Sequence, residues 1–392
     1  SAGASGCSIC STSTPFSTFG NGNGCSALSC SSVDSAGNLM VPFTVTTIPA
    51  NAFENCVALK GIFFTYDSAL ATIGSDAFAK SGLTGIKVPS GVSSIDNSVF
   101  SGCTALATVS FADDSEMTSI GLQFQGTGLV SISLGVKVAS ILADAFKDLS
   151  SLTTVTFATG SLLSTIGTAA FSGSGLLAIA VPSGVSSIDN SVFSGCTALA
   201  TVSFADDSEM TSIGLQFQGT GLVSISLGVK VASILADAFK DLSSLTTVTF
   251  ATGSLLSTIG TAAFSGSGLL AIAVPANMTD LSASSFKGAA SLSTVTFAAN
   301  PAIVSIGASA FESCTSLGAV AIPSKVITIG ASAFQSCSSS SFAVTFAAGS
   351  ELTTIGAGAF TGSGLLAIAV PAGMINLSAS SFKGAASLST VT

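Results

Sequence analysis

Phenylalanine recurs along this chain at a nearly constant spacing, and that spacing constrains the fold more than any other feature. Fifteen phenylalanines follow one another at intervals of 22 to 26 residues. A period in this range is typical of a protein in which one short unit, here called a rung, stacks on the next. Because one rung cannot bury its apolar face alone, the rungs share a continuous core. The fifteen positions are Phe53, Phe78, Phe100, Phe124, Phe146, Phe171, Phe193, Phe217, Phe239, Phe264, Phe286, Phe311, Phe334, Phe360 and Phe382.

The composition excludes two classes of partner. Charged residues are 7% of the chain, and the net charge is −9, with lysine as the only basic residue type. A nucleic-acid-binding protein needs a basic stripe for the phosphates, so no nucleic-acid partner is predicted. Hydrophobic residues reach 48%, but no apolar run approaches the roughly 18 residues that indicate a membrane-spanning helix. We therefore predict no membrane insertion within these residues.

The pattern inside one rung predicts short strands. The segment from Leu106 to Phe111 ends in alternating apolar and polar residues rich in β-formers, which indicates a strand. Val92 to Ile95 predicts a second extended piece on the opposite face. Glycine and serine lie close to Phe100 on both sides, which favours one helical turn or a 3₁₀ turn there over a long helix. The predicted fold is a β-rich, right-handed solenoid of about 15 rungs over residues 45–392, ending inside a rung.

The rung sequence resembles a known family. Ile73-Gly74-Ser75-Asp76-Ala77-Phe78, the stretch from Val326 to Cys337, and Val320-Ala321-Ile322-Pro323 are similar to the BspA-type, or Treponema pallidum-type, leucine-rich repeat. The rung of that family reads roughly I-P-x-x-V-x-x-I-G-x-x-A-F-x-x-C-x-x-L-x-x-I. The resemblance covers about residues 45 to 392 and implies a leucine-rich-repeat solenoid. It also implies an extracellular, cell-surface role, often in adhesion, and no active site, because the family motif is a packing motif.

Residues 1–44 do not repeat and are rich in serine, glycine and cysteine. Four cysteines lie here, and we predict that they form disulfides in an N-terminal cap that covers the first open rung. Four cysteines allow three pairings, and the sequence does not choose between them. A redox role for the first pair would need a strand-to-helix context, which this segment lacks. The four are Cys7, Cys10, Cys25 and Cys30.

Five further cysteines each lie three residues after a rung phenylalanine. Other rungs place Ser81, Thr127, Ser174 or Ala289 there, so we interpret the position as a small residue that packs inward. Only Cys314 and Cys337 lie on adjacent rungs, where a disulfide is geometrically allowed, and their pairing is left open. Metal ligation is not expected, because the chain lacks histidine and clustered ligand spacing. The five are Cys56, Cys103, Cys196, Cys314 and Cys337.

Two asparagines carry the N-glycosylation signal, Asn277-Met278-Thr279 and Asn376-Leu377-Ser378. In a secreted eukaryotic protein we expect at least one of them to be used, so glycans are possible partners. The acidic turn from Asp113 to Glu116, copied at 206–209, has the oxygens that calcium prefers. A solvated turn on a nearly uncharged surface is the better interpretation of that pattern.

No catalytic site is predicted. General acid–base chemistry uses histidine or paired carboxylates in a cleft, and the chain has no histidine. The strand residues expected to face outward are small, whereas binding hot spots are enriched in Trp, Tyr and Arg. This column therefore favours contact with a flat surface or sugar over a small-molecule pocket, and no cofactor is expected. It consists of Ser110, Ser133, Thr156, Ala180, Ser203, Ser226, Thr249, Ala273, Thr296, Ala321, Thr345 and Ala369.

Longer repeats suggest what the solenoid is for. Residues 88–182 recur without a change as residues 181–275, and residues 275–296 recur with three substitutions as residues 371–392. Identical blocks present the same surface at a fixed interval, few charges oppose self-association, and an open final rung would invite another chain. These features favour an extracellular structural protein that assembles head to tail into a filament with itself as partner. The alternative, favoured by the family resemblance, is a monomeric cell-surface adhesin that binds host, matrix or glycan partners.

Overall fold

The structure is a computed structural model that describes residues 16–17, 26–112, 114–299 and 301–392. It contains two compact units, residues 1–179 and 180–392. Each unit is a parallel β-solenoid. A rung contributes one long strand, one short strand and a turn that carries its phenylalanine. This confirms the solenoid predicted from the phenylalanine spacing and the leucine-rich-repeat fold that the family resemblance implied.

In the first unit, six long strands form one parallel sheet in chain order. The register is uniform, with Ile86 beside Val109 and Ile132 beside Val155. The sheet begins at Asn38, so regular pairing starts seven residues before position 45. The long strands are Asn38–Val41, Gly61–Phe64, Gly85–Val88, Thr108–Phe111, Ser131–Leu134 and Thr154–Phe157, and Ala178–Val181 spans the division between the units. The short strands are Thr47–Ile48, Thr72–Ile73, Ser94–Ile95, Ser119–Ile120, Ser140–Ile141 and Thr165–Ile166.

The second unit repeats this arrangement. Eight of its short strands, from Ser212–Ile213 to Asn376–Leu377, form one parallel sheet in chain order. The long strands are Thr201–Phe204, Ser224–Leu227, Thr247–Phe250, Ala271–Val274, Thr294–Phe297, Ala319–Ile322, Ala343–Phe346, Ala367–Ile368 and Thr390–Val391. The short strands are Ser187–Ile188, Ser212–Ile213, Ser233–Ile234, Thr258–Ile259, Asp280–Leu281, Ser305–Ile306, Thr328–Ile329, Thr354–Ile355 and Asn376–Leu377.

The remaining described elements are small. An antiparallel pair joins Phe16–Ser17 to Ser26–Ala27 near the N-terminus. Single 3₁₀ turns lie at Cys30–Ser32, Leu122–Phe124 and Leu215–Phe217. Around Phe100 the chain forms hydrogen-bonded turns without a helical or 3₁₀ turn. The predicted 3₁₀ turn occurs at the phenylalanine of two other rungs, Phe124 and Phe217.

The rung phenylalanines form a stacked column inside each unit. From Phe53 to Phe171 neighbouring ring centroids lie 5.1 to 5.8 Å apart. From Phe193 to Phe382 the separations cover the same range. Offset-stacked aromatic pairs are favourable at such separations. The column is the centre of the core, and it explains why the phenylalanine spacing is the strongest signal in the sequence.

The turn around each phenylalanine explains the polar residues beside it. In the rung of Phe146, Asp144 and Asp148 have φ of 57° and 58°. This left-handed conformation is avoided by β-branched residues and tolerated by Asp, Asn and Gly. The backbone N–H groups of Asp144, Phe146 and Asp148 donate to carbonyl oxygens of the next rung at 2.7 to 3.1 Å. These aspartates therefore shape the turn and its hydrogen-bond ladder.

Candidate interaction surface

The outer face of the long strands is a regular surface in each unit. The first and third residues of a long strand face outward and the second is buried, as in Ser131–Leu134. Every residue of the predicted outward column is exposed or half-buried. Neighbouring hydroxyls bond to one another along the column, with Ser133 Oγ 2.8 Å from Thr156 Oγ1 and Thr249 Oγ1 donating to Ser226 Oγ at 2.9 Å. From Thr108 onward, the outward positions of the long strands in each unit hold serine, threonine and alanine.

The N-terminal end of this face is different, and the sequence prediction missed it. The third positions of the first three long strands hold Met40, Phe63 and Lys87, all exposed. Met40 and Phe63 are register partners, and their side chains are 47% and 52% exposed. The predicted column began at Ser110 and so left out these larger residues. The sequence did contain a signal for this difference: Met40, Phe63 and Lys87 are large at a strand position that holds a small residue in the later rungs.

Two further aromatic side chains project beside this region. Phe43 follows the first long strand and is 53% exposed, and Tyr66 follows the second and is fully exposed. The N–H of Ala69, in the loop after Tyr66, donates to Phe43 O at 3.1 Å, which keeps these two loops adjacent. We call Met40, Phe43, Phe63 and Tyr66 the N-terminal aromatic patch. Large exposed apolar side chains grouped in this way are typical of interaction sites.

A second feature is an open groove of about 570 Å³ in the second unit. Its sides include the half-buried rings of Phe250 and Phe297, with Val274 and Pro275 between them. Asn277 lies at its rim, and its side-chain amide donates to Ser254 O at 2.9 Å. The sequence predicted a flat column without a pocket, but Thr249, Ala273 and Thr296 of that column line this groove, so the prediction was wrong at this place. None of its lining side chains titrates, so it offers shape but no acid–base chemistry.

One predicted disulfide cysteine is bonded, and its partner is a rung cysteine. Cys30 is joined to Cys56, with the Cα atoms 5.6 Å apart. Cys56 packs inward as predicted, at 2% exposure, but it is bonded, and the prediction that the four N-terminal cysteines pair among themselves was wrong for Cys30. The bond ties the N-terminal segment to the turn of Phe53, which is fully buried. The predictions for Cys7, Cys10 and Cys25 fall outside the described residues.

The later rung cysteines pack inward as predicted, and each is fully buried. Cys314 and Cys337 are free thiols, so the disulfide left open between them is not formed. Burial raises the pKa of Cys314 from 9.0 to about 12. Burial also raises the pKa of Cys337, and the neighbouring Cys314 adds to that rise. These thiols are therefore protonated hydrogen-bond donors and not nucleophiles.

The two N-glycosylation signals lie on the surface. Asn277 is exposed in a turn, and Asn376 is exposed in a short strand. An acceptor asparagine must be reachable by the transferase, and both positions meet that requirement. Their use stays a prediction.

The acidic turns are occupied by ion pairs. Glu116 accepts from Lys137 Nζ at 2.6 Å, and the copied residues Glu209 and Lys230 repeat that distance. All four side chains are close to half-exposed, so each pair contributes little to stability. Over the described ranges, no group of three or more metal-ligating side chains comes together. No helix within those ranges is long and apolar enough to cross a bilayer.

Comparison with known proteins identifies the family. The BspA type Leucine rich repeat region (6 copies) matches residues 28–124, 122–246, 211–341 and 343–392. Because these matches span almost the whole chain, the protein belongs to the BspA-type leucine-rich-repeat family. None of the curated proteins matches the sequence.

Several solved structures resemble the chain. A leucine-rich repeat protein from Bacteroides ovatus is 27% identical with a TM-score of 0.54, and the match covers 74% of this chain and 79% of that one. A leucine rich cell surface protein from Faecalibacterium prausnitzii is 21% identical over 95% and 85% of the two chains, with a TM-score of 0.34. The T. pallidum leucine-rich repeat protein is 19% identical over 59% and 76%, with a TM-score of 0.26.

Proposed function

We propose that this protein is an extracellular structural protein, the subunit of a self-assembling surface filament. The disulfide between Cys30 and Cys56 supports an oxidising, extracellular compartment, because cytosolic proteins rarely keep such bonds. Membership of the BspA-type family supports a cell-surface role. The described residues of the long-strand face and the groove provide surfaces for contact and hydrogen-bonding groups but no catalytic group. This supports a structural or binding role over an enzymatic one.

The observation that carries self-assembly is the identity of residues 88–182 and 181–275. Identical blocks present the same surface at a fixed interval, and only 7% of the residues are charged, so little charge repulsion opposes contact between copies. Within the chain, Leu281 and Val295 are buried, at 0% and 4% exposure, in a rung on which a further rung stacks. The same stacking between copies would bury apolar side chains in a filament.

Any rung can serve as the covering rung, because all the described rungs repeat one pattern. Backbone hydrogen bonds join neighbouring rungs in both directions: the N–H of Phe286 donates to Ala310 O of the next rung, and the N–H of Gly307 donates to Leu281 O of the preceding one. Stacking of this kind is heterologous, so it can continue without closing. The filament proposal requires that a rung of one copy stacks on a rung of another copy.

Light scattering of the purified full chain at rising concentration, followed by electron microscopy, tests this proposal. We expect the mean mass to rise with concentration and the images to show filaments one solenoid wide. Leu377→Asp should suppress association by placing a charge in the stacked edge. Leu142→Asp is the matched control, because Leu142 is 49% exposed but lies within a rung that is covered on both sides. A monodisperse monomer at every concentration would contradict self-assembly.

The second candidate function is a monomeric adhesin, and the N-terminal aromatic patch favours it. Binding energy at interfaces concentrates in a few aromatic or charged residues, and the first two long strands and their turns present four large apolar side chains together. Adhesion of the purified protein to immobilised matrix, lost on replacement of Phe63 and Tyr66 by alanine, tests this function. Unchanged adhesion of that variant would count against the patch as the binding surface.

A further inference from the structure

Proline coincides with interruptions of the long-strand sheet in the second unit. Three long strands that lie within this unit lead into a proline. Over the described part of the chain, each of the three pairs with the long strand that follows it but not with the long strand that precedes it. The three are Ala271–Val274 before Pro275, Ala319–Ile322 before Pro323, and Ala367–Ile368, which Pro371 follows after two further residues.

The missing N–H of proline explains why pairing is lost in one direction only. The residue after a long strand elsewhere donates to the last residue of the preceding long strand, as the N–H of Ala347 does to Ile322 O at 3.0 Å. Pro323 occupies the same position one rung earlier, where its acceptor would be Phe297 O. Because proline has no backbone N–H, this bond cannot form. A ladder of only four residues is thereby weakened at one end.

The first unit shows a milder form of the same effect. Pro89 follows the long strand Gly85–Val88. The register of that strand with the preceding long strand is reduced to one pair, Gly61 with Gly85. On its other side the same strand pairs over all four residues. Proline therefore acts on the preceding contact in both units.

Alanine is the competing explanation, because the outward positions of the interrupted strands hold alanine, which has a lower strand propensity than threonine. Ala319 and Ala321 are the outward residues of one such strand. The strand nevertheless pairs over all four residues with Ala343–Phe346. Low propensity would weaken both edges of a strand equally. The loss on one edge therefore points to proline.

The other parts of the rung stay joined across the interruptions. The short strands from Ser212–Ile213 to Asn376–Leu377 form one continuous sheet. The phenylalanine column also continues, with Phe311 and Phe334 stacked at 5.3 Å. The open groove of about 570 Å³ lies at one interruption, between the strand that ends at Phe250 and the strand that ends at Val274. Neighbouring rungs are thus held on one face and in the core, and are separate on the other face.

We propose that the proline positions of the second unit are joints, at which the long-strand face opens locally while the remainder of each rung stays stacked. Pro275, Pro323 and Pro371 follow one another at equal intervals of 48 residues, which is two rungs. The long-strand face between them consists of joined pairs of strands with a joint after each pair. Opening a joint unfolds no rung, so this face yields under load before the core does. The proposal is independent of both candidate functions.

Hydrogen–deuterium exchange of the full chain, read by mass spectrometry, tests the joints. After correction for intrinsic rates, the amides of Ala319–Ile322 should exchange about tenfold faster than those of Ser224–Leu227, because one hydrogen-bonded edge is missing. Ser224–Leu227 pairs on both sides. Its identical copy Ser131–Leu134 also pairs on both sides, so a peptide common to both reports one environment. Equal exchange of the compared strands would overturn the proposal without the need for any variant.

Pro323→Ala supplies the missing N–H and should slow exchange in Ala319–Ile322 and Thr294–Phe297 about tenfold. Ala321→Thr is the matched control, because it raises strand propensity but keeps the proline, and its exchange should equal that of the parent. Circular dichroism should show the parent's spectrum for both variants. Slower exchange in Ala321→Thr, together with unchanged exchange in Pro323→Ala, would assign the interruption to alanine and overturn the proposal.

Stretching of single molecules by their two ends with optical tweezers tests the mechanical consequence. Below the force at which the first rung unfolds, the parent should extend further than a variant that combines Pro275→Ala, Pro323→Ala and Pro371→Ala. The variant should extend less because its long-strand ladders resist opening. Equal extension of the two proteins would show that the proline positions do not act as joints under load.

Discussion

The thiol of Cys103 donates to the carbonyl oxygen of Phe78, one rung earlier, at 2.9 Å. Cys314 and Cys337 make the same contact with Phe286 and Phe311, at 3.1 and 3.2 Å. The residue three places after a rung phenylalanine can therefore reach back to the preceding rung. In the first rung the preceding structure is the N-terminal segment, and there Cys56 bonds to Cys30. One position thus provides a buried hydrogen bond inside the solenoid and a covalent tie at its beginning.

Loss of the disulfide should destabilise the protein. The bond closes a loop with a sequence separation of 26 residues, and the chain-entropy relation gives about 3–4 kcal/mol for a loop of that size. Cys30→Ser and Cys56→Ser should each lower the free energy of unfolding by about that amount in urea denaturation. Reductant should lower the free energy of unfolding of the parent to that of these variants, and it should leave the free energy of unfolding of the variants unchanged. Equal stability of Cys30→Ser and the parent would show that the tie does not stabilise the fold.

The buried thiols should make the protein less stable at alkaline pH. The pKa of Cys314 is raised from 9.0 to about 12, so the unfolded chain loses its proton at a lower pH than the folded chain. The free energy of unfolding should therefore be unaffected below pH 9 and fall between pH 9 and 12. The slope for one thiol is about 1.4 kcal/mol per pH unit.

Cys314→Ala should reduce that slope in denaturation measured across the same range. Ala289 fills the equivalent position of the preceding rung and is fully buried, so alanine is compatible with the fold there. Cys337→Ala should act in the same direction, because burial and Cys314 both raise the Cys337 pKa. If the variant with both Cys314→Ala and Cys337→Ala loses free energy of unfolding with rising pH as steeply as the parent does, groups other than these thiols cause the alkaline loss of stability.

Residues 281–296 and 377–392 are identical, but the two copies should lose different amounts of stability when their phenylalanine is replaced by alanine. Phe286 is fully buried and stacks on Phe264 and Phe311 at 5.3 Å each. Phe286→Ala should cost about 3–5 kcal/mol, as is typical for a buried aromatic residue. Phe382, with the same local sequence, is half-buried and stacks on Phe360, so Phe382→Ala should cost clearly less. Equal losses in chemical denaturation would contradict the nearest-neighbour character of the stack.

Removal of one identical block should leave a folded protein. Deletion of residues 181–273 joins Ala180 to Val274 without changing the local sequence, because residues 88–182 and 181–275 are identical. The contacts at the new junction are those already present around Ala271–Val274, whose Ile272 pairs with Val295. The variant should show the parent's circular dichroism per residue and a denaturant m-value lower by about a quarter, in proportion to the surface removed.

Deletion of residues 181–262 is the control, since it leaves part of a rung in excess and puts the phenylalanine column out of phase. That variant should unfold at lower denaturant concentration or aggregate. Equivalent behaviour of the two deletions would show that the rung register is not what specifies the fold.

The sequence by itself determined the stacked architecture, because a residue type that recurs every 22 to 26 positions must repeat one environment in each rung. It also determined the outward small-residue ladder, since alternation along Ser131–Leu134 assigns each side chain to one face. The partner of Cys30 and the pairing of Met40 with Phe63 were decided only by the tertiary structure. Their separation along the chain carries no pairing signal, and only the stacking of rungs brings residues more than 20 positions apart into contact.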